Sequence, residues 1–192
     1  MTRRSIPKWV LKKEAKKSAR IRFMEMFLML PEGGVRAAFP NTPSCEIRLV
    51  EIRWPDGVRC LTCSGSDIGY VENRSLYQCR TCRRQFSVTA ETVAHHSRLD
   101  LRMWFIAAED IITAYAKSNE ENWLIGERMA KHYGISYPAM YRLKTILIEE
   151  LSQQPAGGLI GACVCVRPLP ISRDPEVSAQ DWHHKLWSVM GN

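Results

Sequence analysis

Two short cysteine motifs decide the fold of this chain: Cys60-Leu61-Thr62-Cys63 and Cys79-Arg80-Thr81-Cys82. Fifteen residues separate the two motifs, a spacing within the range typical of zinc sites. Two thiolates three residues apart on a tight turn can reach one ion about 2.3 Å away, and a second such turn completes a tetrahedron. Four thiolates leave no position for an activated water. We therefore expect one structural Zn²⁺, with Cys60, Cys63, Cys79 and Cys82 as its ligands.

The cysteine pattern leaves two alternatives open, a redox dithiol and four unrelated thiols. A redox motif needs only one pair and usually lies in a βαβ context, which favours zinc. The total of seven cysteines is odd, which favours metal binding in a reducing compartment over a disulfide framework. Of the remaining cysteines, Cys45 is expected to be a buried hydrophobe, and Cys163-Val164-Cys165 is interpreted as a small apolar strand.

The segment between the cysteine pairs predicts a β-hairpin. Residues 68–71 form the first strand, residues 72–74 a polar turn and residues 76–78 the returning strand, while residues 85–88 add a third strand. This is the layout of a zinc ribbon. A unit of about 35 residues buries too little apolar surface to fold alone, and a structural zinc supplies on the order of 10–16 kcal/mol of apparent binding free energy.

Residues 97–151 show the periodicity of a helical domain. Apolar side chains recur every three or four residues from Leu101 to Tyr115, and Ser97 or Asp100 is expected to cap the first helix. We interpret Trp104 and the neighbouring phenylalanine as core residues and not as base-stacking residues. Residues 35–54 are also predicted to be helical.

Residues 123–136 follow the pattern of a helix-turn-helix. Ala130 is small, as two closely crossing helices require, and Gly134 can adopt the positive φ of the turn. Ser136 is predicted to cap a second helix that has Pro138 in its first turn and extends to about Leu151.

The exposed start of that second helix is the predicted DNA-reading surface. A recognition helix presents its N-terminal residues to base edges in the major groove, and Arg142 could make the bidentate contact to guanine. The alternative is an ordinary helical hairpin with a solvated basic face. The predicted DNA-contacting residues are Ser136, Tyr137, Tyr141, Arg142, Lys144 and Thr145.

Positive charge is concentrated at the N terminus. The chain carries a net charge of +7, yet residues 1–22 hold nine basic residues and one acid, a balance of +8, and the rest of the chain is at −1. Such a segment favours a polyanionic partner, either nucleic acid or an anionic membrane. The further predicted DNA contacts are Lys12, Lys13, Lys16 and Lys17 in this arm and Arg83 and Arg84 in the ribbon.

The arm also has a plainer interpretation, a solubilising helix that docks by its apolar end. Residues 8–30 contain no Gly or Pro and are rich in good helix formers, and the docking residues would be Phe23, Met26, Phe27 and Leu30. No run of about 20 apolar residues is present to span a membrane. We expect no membrane partner and a cytoplasmic, nucleoid-associated protein.

The expected fold is mostly α with a small β zinc ribbon. Its predicted parts are a basic N-terminal helical arm (1–34), a zinc-ribbon domain (35–96), a helix-turn-helix bundle (97–151), and a linker and irregular tail (152–192) with one short helix over 178–189.

With these motifs in view, residues 35–150 resemble the N-terminal region of bacterial insertion-sequence transposases that begin with a zinc ribbon. The sequence departs from that family at Leu61, where the family has Pro, and at Glu91, where it has Gly. The matching motifs are Arg53-Trp54-Pro55-Asp56-Gly57, Tyr77-Gln78-Cys79-Arg80-Thr81-Cys82-Arg83-Arg84-Gln85-Phe86-Ser87, Thr89-Ala90-Glu91-Thr92 and Leu101-Arg102-Met103-Trp104-Phe105.

The resemblance implies a ribonuclease-H-like catalytic domain after the helix-turn-helix, with three well-separated carboxylates that hold two metal ions. Here 41 residues follow Leu151, and their three acids, Asp174, Glu176 and Asp181, lie within eight positions. We therefore expect no catalytic residue and no enzyme activity.

The expected function is double-stranded DNA binding in transposition, with a second copy of the chain or a full-length transposase as a protein partner. Two alternatives stay open, a small zinc-ribbon transcription regulator and a zinc-ribbon adaptor that binds protein. An active nuclease is disfavoured by the length of the chain.

Overall fold

Helices dominate the computed structural model, which describes residues 8–118, 125–153 and 157–191, with side chains from residue 18 onward. The helices are α1 (Lys8–Met29), α2 (Val35–Ala38), α3 (Thr42–Arg53), α4 (Leu101–Ala116), α5 (Gly126–Tyr133), α6 (Tyr137–Leu151), α7 (Gly158–Val164) and α8 (Ala179–Val189). The strands are β1 (Ile68–Val71), β2 (Leu76–Cys79) and β3 (Gln85–Phe86). The mostly helical fold with a small three-stranded sheet is confirmed.

Helix α4 forms the centre of the core. Asp100 caps it as predicted, because its carboxylate accepts the backbone N–H of Arg102 at 3.0 Å. Ten of its 16 residues are buried, so α4 is covered on nearly every side, by α1, α2, α3, α6 and α7. Trp104 and Phe105 are among the buried residues, which confirms that both belong to the core.

The apolar end of α1 packs on α4. Phe23 stacks against Tyr115 with ring centroids 4.5 Å apart, and Met26 and Leu30 are buried. Burying each such side chain contributes about 1.5–3 kcal/mol. The predicted docking of this end of the arm is therefore confirmed.

Residues 157–191 form two helices, where the sequence predicts one helix in an irregular tail. The predicted helix over 178–189 is confirmed by α8. Its Trp182 is buried, and the indole Nε1–H of this residue donates a hydrogen bond to Glu25 Oε1 at 2.7 Å. The predicted apolar strand at residues 163–165 is wrong, because Cys163 and Val164 end helix α7.

Tertiary contacts at both ends explain why α7 forms. Gly157 and Gly158 turn the chain with φ of 75° and 66°, a conformation that favours glycine. The buried carboxylate of Glu150 then accepts the backbone N–H of Leu159 at 2.8 Å. At the other end, Arg48 Nε donates to the carbonyl of Cys163 at 3.2 Å. These partners satisfy terminal backbone groups that a short helix cannot satisfy itself.

An aromatic cluster joins the ribbon to the end of α3. Strand β2 pairs antiparallel with both neighbours, with Tyr77 opposite Tyr70 on β1 and opposite Phe86 on β3. Trp54 lies edge-on to Tyr77 and Phe86 at 6.0 and 6.1 Å. Arg53 completes the junction by donating to the carbonyl of Val88 at 2.8 Å.

Candidate metal centre and candidate nucleic-acid interface

The four predicted zinc ligands converge on one point. The sulfur atoms of Cys60, Cys63, Cys79 and Cys82 all lie within 4.8 Å of one another, with Cys60 Sγ 3.4 Å from Cys82 Sγ and Cys63 Sγ 3.6 Å from Cys79 Sγ. A tetrahedral zinc with bonds of about 2.3 Å separates its sulfur ligands by about 3.8 Å. The cluster therefore fits one structural Zn²⁺.

The first cysteine pair lies on a tight hydrogen-bonded turn. The backbone N–H of Ser64 donates to the carbonyl of Cys60 at 2.9 Å, and the N–H of Cys60 donates to the carbonyl of Gly65 at 2.9 Å. Ser64 has a left-handed φ of 57°. This turn brings Cys63 back toward Cys60.

The second pair repeats the same turn. Arg83 N–H donates to the carbonyl of Cys79 and Cys79 N–H donates to the carbonyl of Arg84, both at 2.9 Å, and Arg83 has a φ of 61°. The side chains of Arg83 and Arg84, two of the predicted DNA contacts, are exposed beside the metal centre.

Backbone N–H groups point at one buried sulfur in each pair. The N–H groups of Cys63 and Thr62 lower the pKa of Cys60 to about 6, and the N–H groups of Cys82 and Thr81 lower the pKa of Cys79. The neighbouring thiols raise the pKa of Cys63 and Cys82, so Cys60 and Cys79 are the ones most readily deprotonated. A lower pKa favours the thiolate, which is the form that binds metal.

Helices α5 and α6 are joined by a three-residue turn. Gly134 adopts the predicted left-handed conformation, with φ of 65°, and the next N–H, of Ile135, donates to the carbonyl of Ala130 at 3.1 Å. The predicted side-chain cap by Ser136 is wrong, because its hydroxyl makes no capping hydrogen bond. Pro138 is the second helical residue and has no N–H, which removes one of the donors that such a cap uses.

Two contacts fix the position of α5. The hydroxyl of Tyr133 donates to Asp110 Oδ2 on α4, and burial raises the pKa of Tyr133, so this donor keeps its proton. At the other end, the ring of Tyr137 covers Gly126 so closely that a Cβ there would lie 2.8 Å from Tyr137 Cε2.

The first two turns of α6 expose most of the residues predicted to read DNA. Tyr137 and Tyr141 are 50% and 54% exposed, and their ring centroids lie 6.2 Å apart. Ser136, Arg142 and Thr145 are exposed, and Lys144 is half-buried. The opposite face buries Met140, Leu143 and Leu147.

The exposed face carries a shallow, open depression. A cavity of about 430 Å³ is lined by Tyr137, Pro138, Tyr141, Arg142, Thr145 and Ile146, with no acidic residue among them. The structure therefore brings two aromatic rings, a hydroxyl and a guanidinium together on one surface.

Sequence reasoning missed a second cavity on the other side of Arg142. It has a volume of about 520 Å³ and lies between α6 and the loop of residues 93–99, which carries His95, His96 and Arg98. Both histidines are exposed. More than 40 residues separate this loop from Arg142, so the spacing of residues in the sequence could not predict that they line the same cavity.

The four predicted lysine contacts of the arm belong to the helix α1, but their side chains lie outside the described residues. Lys12, Lys13, Lys16 and Lys17 therefore stay predictions from the sequence.

Comparison with known proteins points to transposases. Residues 40–85 match the family model of the transposase zinc-ribbon domain. A protein of Halobacterium salinarum, described as an uncharacterized protein in transposable element ISH50, is 30% identical over 97 residues. The aligned part is 49% of this chain and 30% of that relative, so the chain spans less than a third of the relative's length.

No solved structure matches the chain significantly. Among the described residues, no helix combines the length and the apolar character that crossing a membrane would require.

Proposed function

We propose that this protein acts in DNA transposition by binding double-stranded DNA, with the first two turns of α6 reading the sequence. The observation that carries the proposal is the exposed, acid-free surface that Tyr137, Tyr141, Arg142 and Thr145 form at the start of α6. The match to a transposase zinc-ribbon domain and the relative from a transposable element supply the biological context.

The packing beneath this surface supports a helix-turn-helix role for α5 and α6. Leu143 and Leu147 anchor α6 to the core, and Tyr133 ties α5 to Asp110 on α4. A recognition helix held this firmly can present side chains at fixed positions in the major groove.

The ribbon has a structural part in this proposal, because its four thiolates leave no open position on a zinc ion. Its exposed Arg83 and Arg84 contact phosphates, as do the lysines of the arm. Phosphate contacts supply affinity and register, whereas contacts to base edges supply specificity.

Substitution of Arg142 tests the proposed reading of sequence. Arg142→Ala should weaken binding to the preferred duplex about 10- to 100-fold, because one bidentate base contact contributes about 1–3 kcal/mol of discrimination. Arg142→Lys keeps the charge but not the bidentate geometry, so it should keep most non-specific affinity and lose preference at one base pair. Fluorescence anisotropy with a set of singly substituted duplexes measures both effects.

The matched control is Arg74→Ala, which removes an exposed arginine from the turn between β1 and β2 and should change neither the affinity nor the preference among duplexes. If Arg142→Ala binds every duplex as the unmodified chain does, α6 does not read DNA. A protein-binding adaptor is then favoured.

A further inference from the structure

We propose that the cleft between the 93–99 loop and α6 binds backbone phosphates of the same duplex that α6 reads. This inference rests on the proposed function and adds His95, His96 and Arg98 to the DNA-binding surface. Arg142 borders both this cleft and the reading surface of α6, so a duplex seated on one lies against the other.

The charge of the cleft fits a polyanion. Around a largely apolar floor, its rim carries Arg98 and the imidazoles of His95 and His96 as donors for phosphate, beside Arg142 at the border with the reading surface, and the lining contains no acidic side chain. Residues 23–192 as a whole carry a net charge of −1, so a surface without acidic side chains differs in charge from the average of these residues. Arginine and histidine side chains are suitable donors for phosphate oxygens.

The loop is held rigidly in place. Ser97 Oγ accepts the backbone N–H of Leu99 at 3.0 Å and the indole Nε1–H of Trp104 at 3.3 Å. His96 has a left-handed φ of 58°, and its ring stacks on that of His95 with centroids 3.8 Å apart. The backbone that carries these side chains is therefore anchored to α4, which lowers the entropic cost of ordering the loop on binding.

The floor of the cleft links the loop to both neighbouring helices. Leu99 comes from the loop, Trp104 comes from the first turn of α4, and Leu143 and Ile146 come from α6. The cleft has a volume of about 520 Å³ and is open to solvent along one side, so a strand of the duplex can lie along it. Contacts of this kind fix the register of a recognition helix without reading sequence.

A charge-deletion cycle on protein and DNA tests the inference. Arg98→Gln should weaken binding to all duplexes uniformly and lower the slope of log K against log salt by about 1. A neutral methylphosphonate placed at the contacted phosphate should weaken the unmodified chain and leave Arg98→Gln unchanged. Arg98→Lys should restore the salt slope.

The histidine pair is tested in the same assay. The double variant His95→Gln/His96→Gln should lower affinity uniformly and leave the preference among duplexes intact. Arg74→Gln, an exposed change in the turn between β1 and β2, is the control and should alter nothing. Circular dichroism melts establish that each variant is folded.

The outcomes separate this inference from the proposed function. If Arg98→Gln and the histidine variant bind like the unmodified chain while Arg142→Ala binds more weakly, the cleft inference is wrong and the proposed function stands. If the unmodified chain binds no duplex, both are wrong.

Discussion

Replacing Cys79 by serine should lower the zinc content from one ion per chain to less than about a tenth of an ion. Cys79 is fully buried, and its Sγ lies 3.6 Å from Cys63 Sγ. Serine has no thiolate, so the variant loses one of the four zinc ligands. Structural zinc contributes on the order of 10–16 kcal/mol of apparent binding free energy in small zinc domains. Elemental analysis of the purified variant measures this change.

The same substitution should unfold the ribbon and leave the helical core in place. Amide hydrogen exchange should show lost protection in β1 and β2, while α4, whose buried residues do not depend on the metal, keeps its protection. Cys45→Ala removes a buried thiol from α3 and should keep one zinc per chain. A Cys79→Ser protein that retains both its zinc and its ribbon protection would contradict the assignment.

The second large effect is expected from the lysines of the arm. Replacing all four with glutamine keeps good helix formers in α1 and removes four positive charges. If each lysine neutralises one phosphate, the slope of log K against log salt should fall by about 3.6. Between 50 and 200 mM salt, the unmodified chain should then lose about 100-fold more affinity than the variant. The substitutions are Lys12→Gln, Lys13→Gln, Lys16→Gln and Lys17→Gln.

A second quadruple variant separates the position of the charges from their number. It removes four exposed basic residues elsewhere and so lowers the net charge equally. Its salt slope should stay close to that of the unmodified chain, and equal slopes for the two variants would remove the arm from the interface. The control changes are Arg74→Gln, Lys117→Gln, Arg173→Gln and Lys185→Gln.

The metal centre and the turn before α6 could be predicted because each depends on neighbours in sequence. The spacing of Cys60 and Cys63 reflects one turn, which its own backbone hydrogen bonds hold. Gly134 adopts a positive φ because only three residues connect α5 to α6, and glycine takes this conformation most readily. Local chemistry of this kind is visible in residue types and their spacing.

The features that were missed depend on residues distant in sequence. Helix α7 is capped by Glu150 from α6 and by Arg48 from α3, so the composition of residues 157–165 alone does not reveal it. Arg98 and Arg142 line one cavity because α4 and α6 pack together. Periodicity predicts which face of a helix is buried, but not which loop will lie next to its exposed face.

The central claim, that this chain recognises a specific duplex through α6, is tested most directly by a competition measurement. The purified protein is bound to the duplex that it selects from a randomised library, and a scrambled duplex of the same length and composition is added as competitor at physiological salt. The account predicts a preference of about 10³-fold or more for the selected sequence, reduced at least tenfold by Arg142→Ala. Equal affinity for the two duplexes would contradict it.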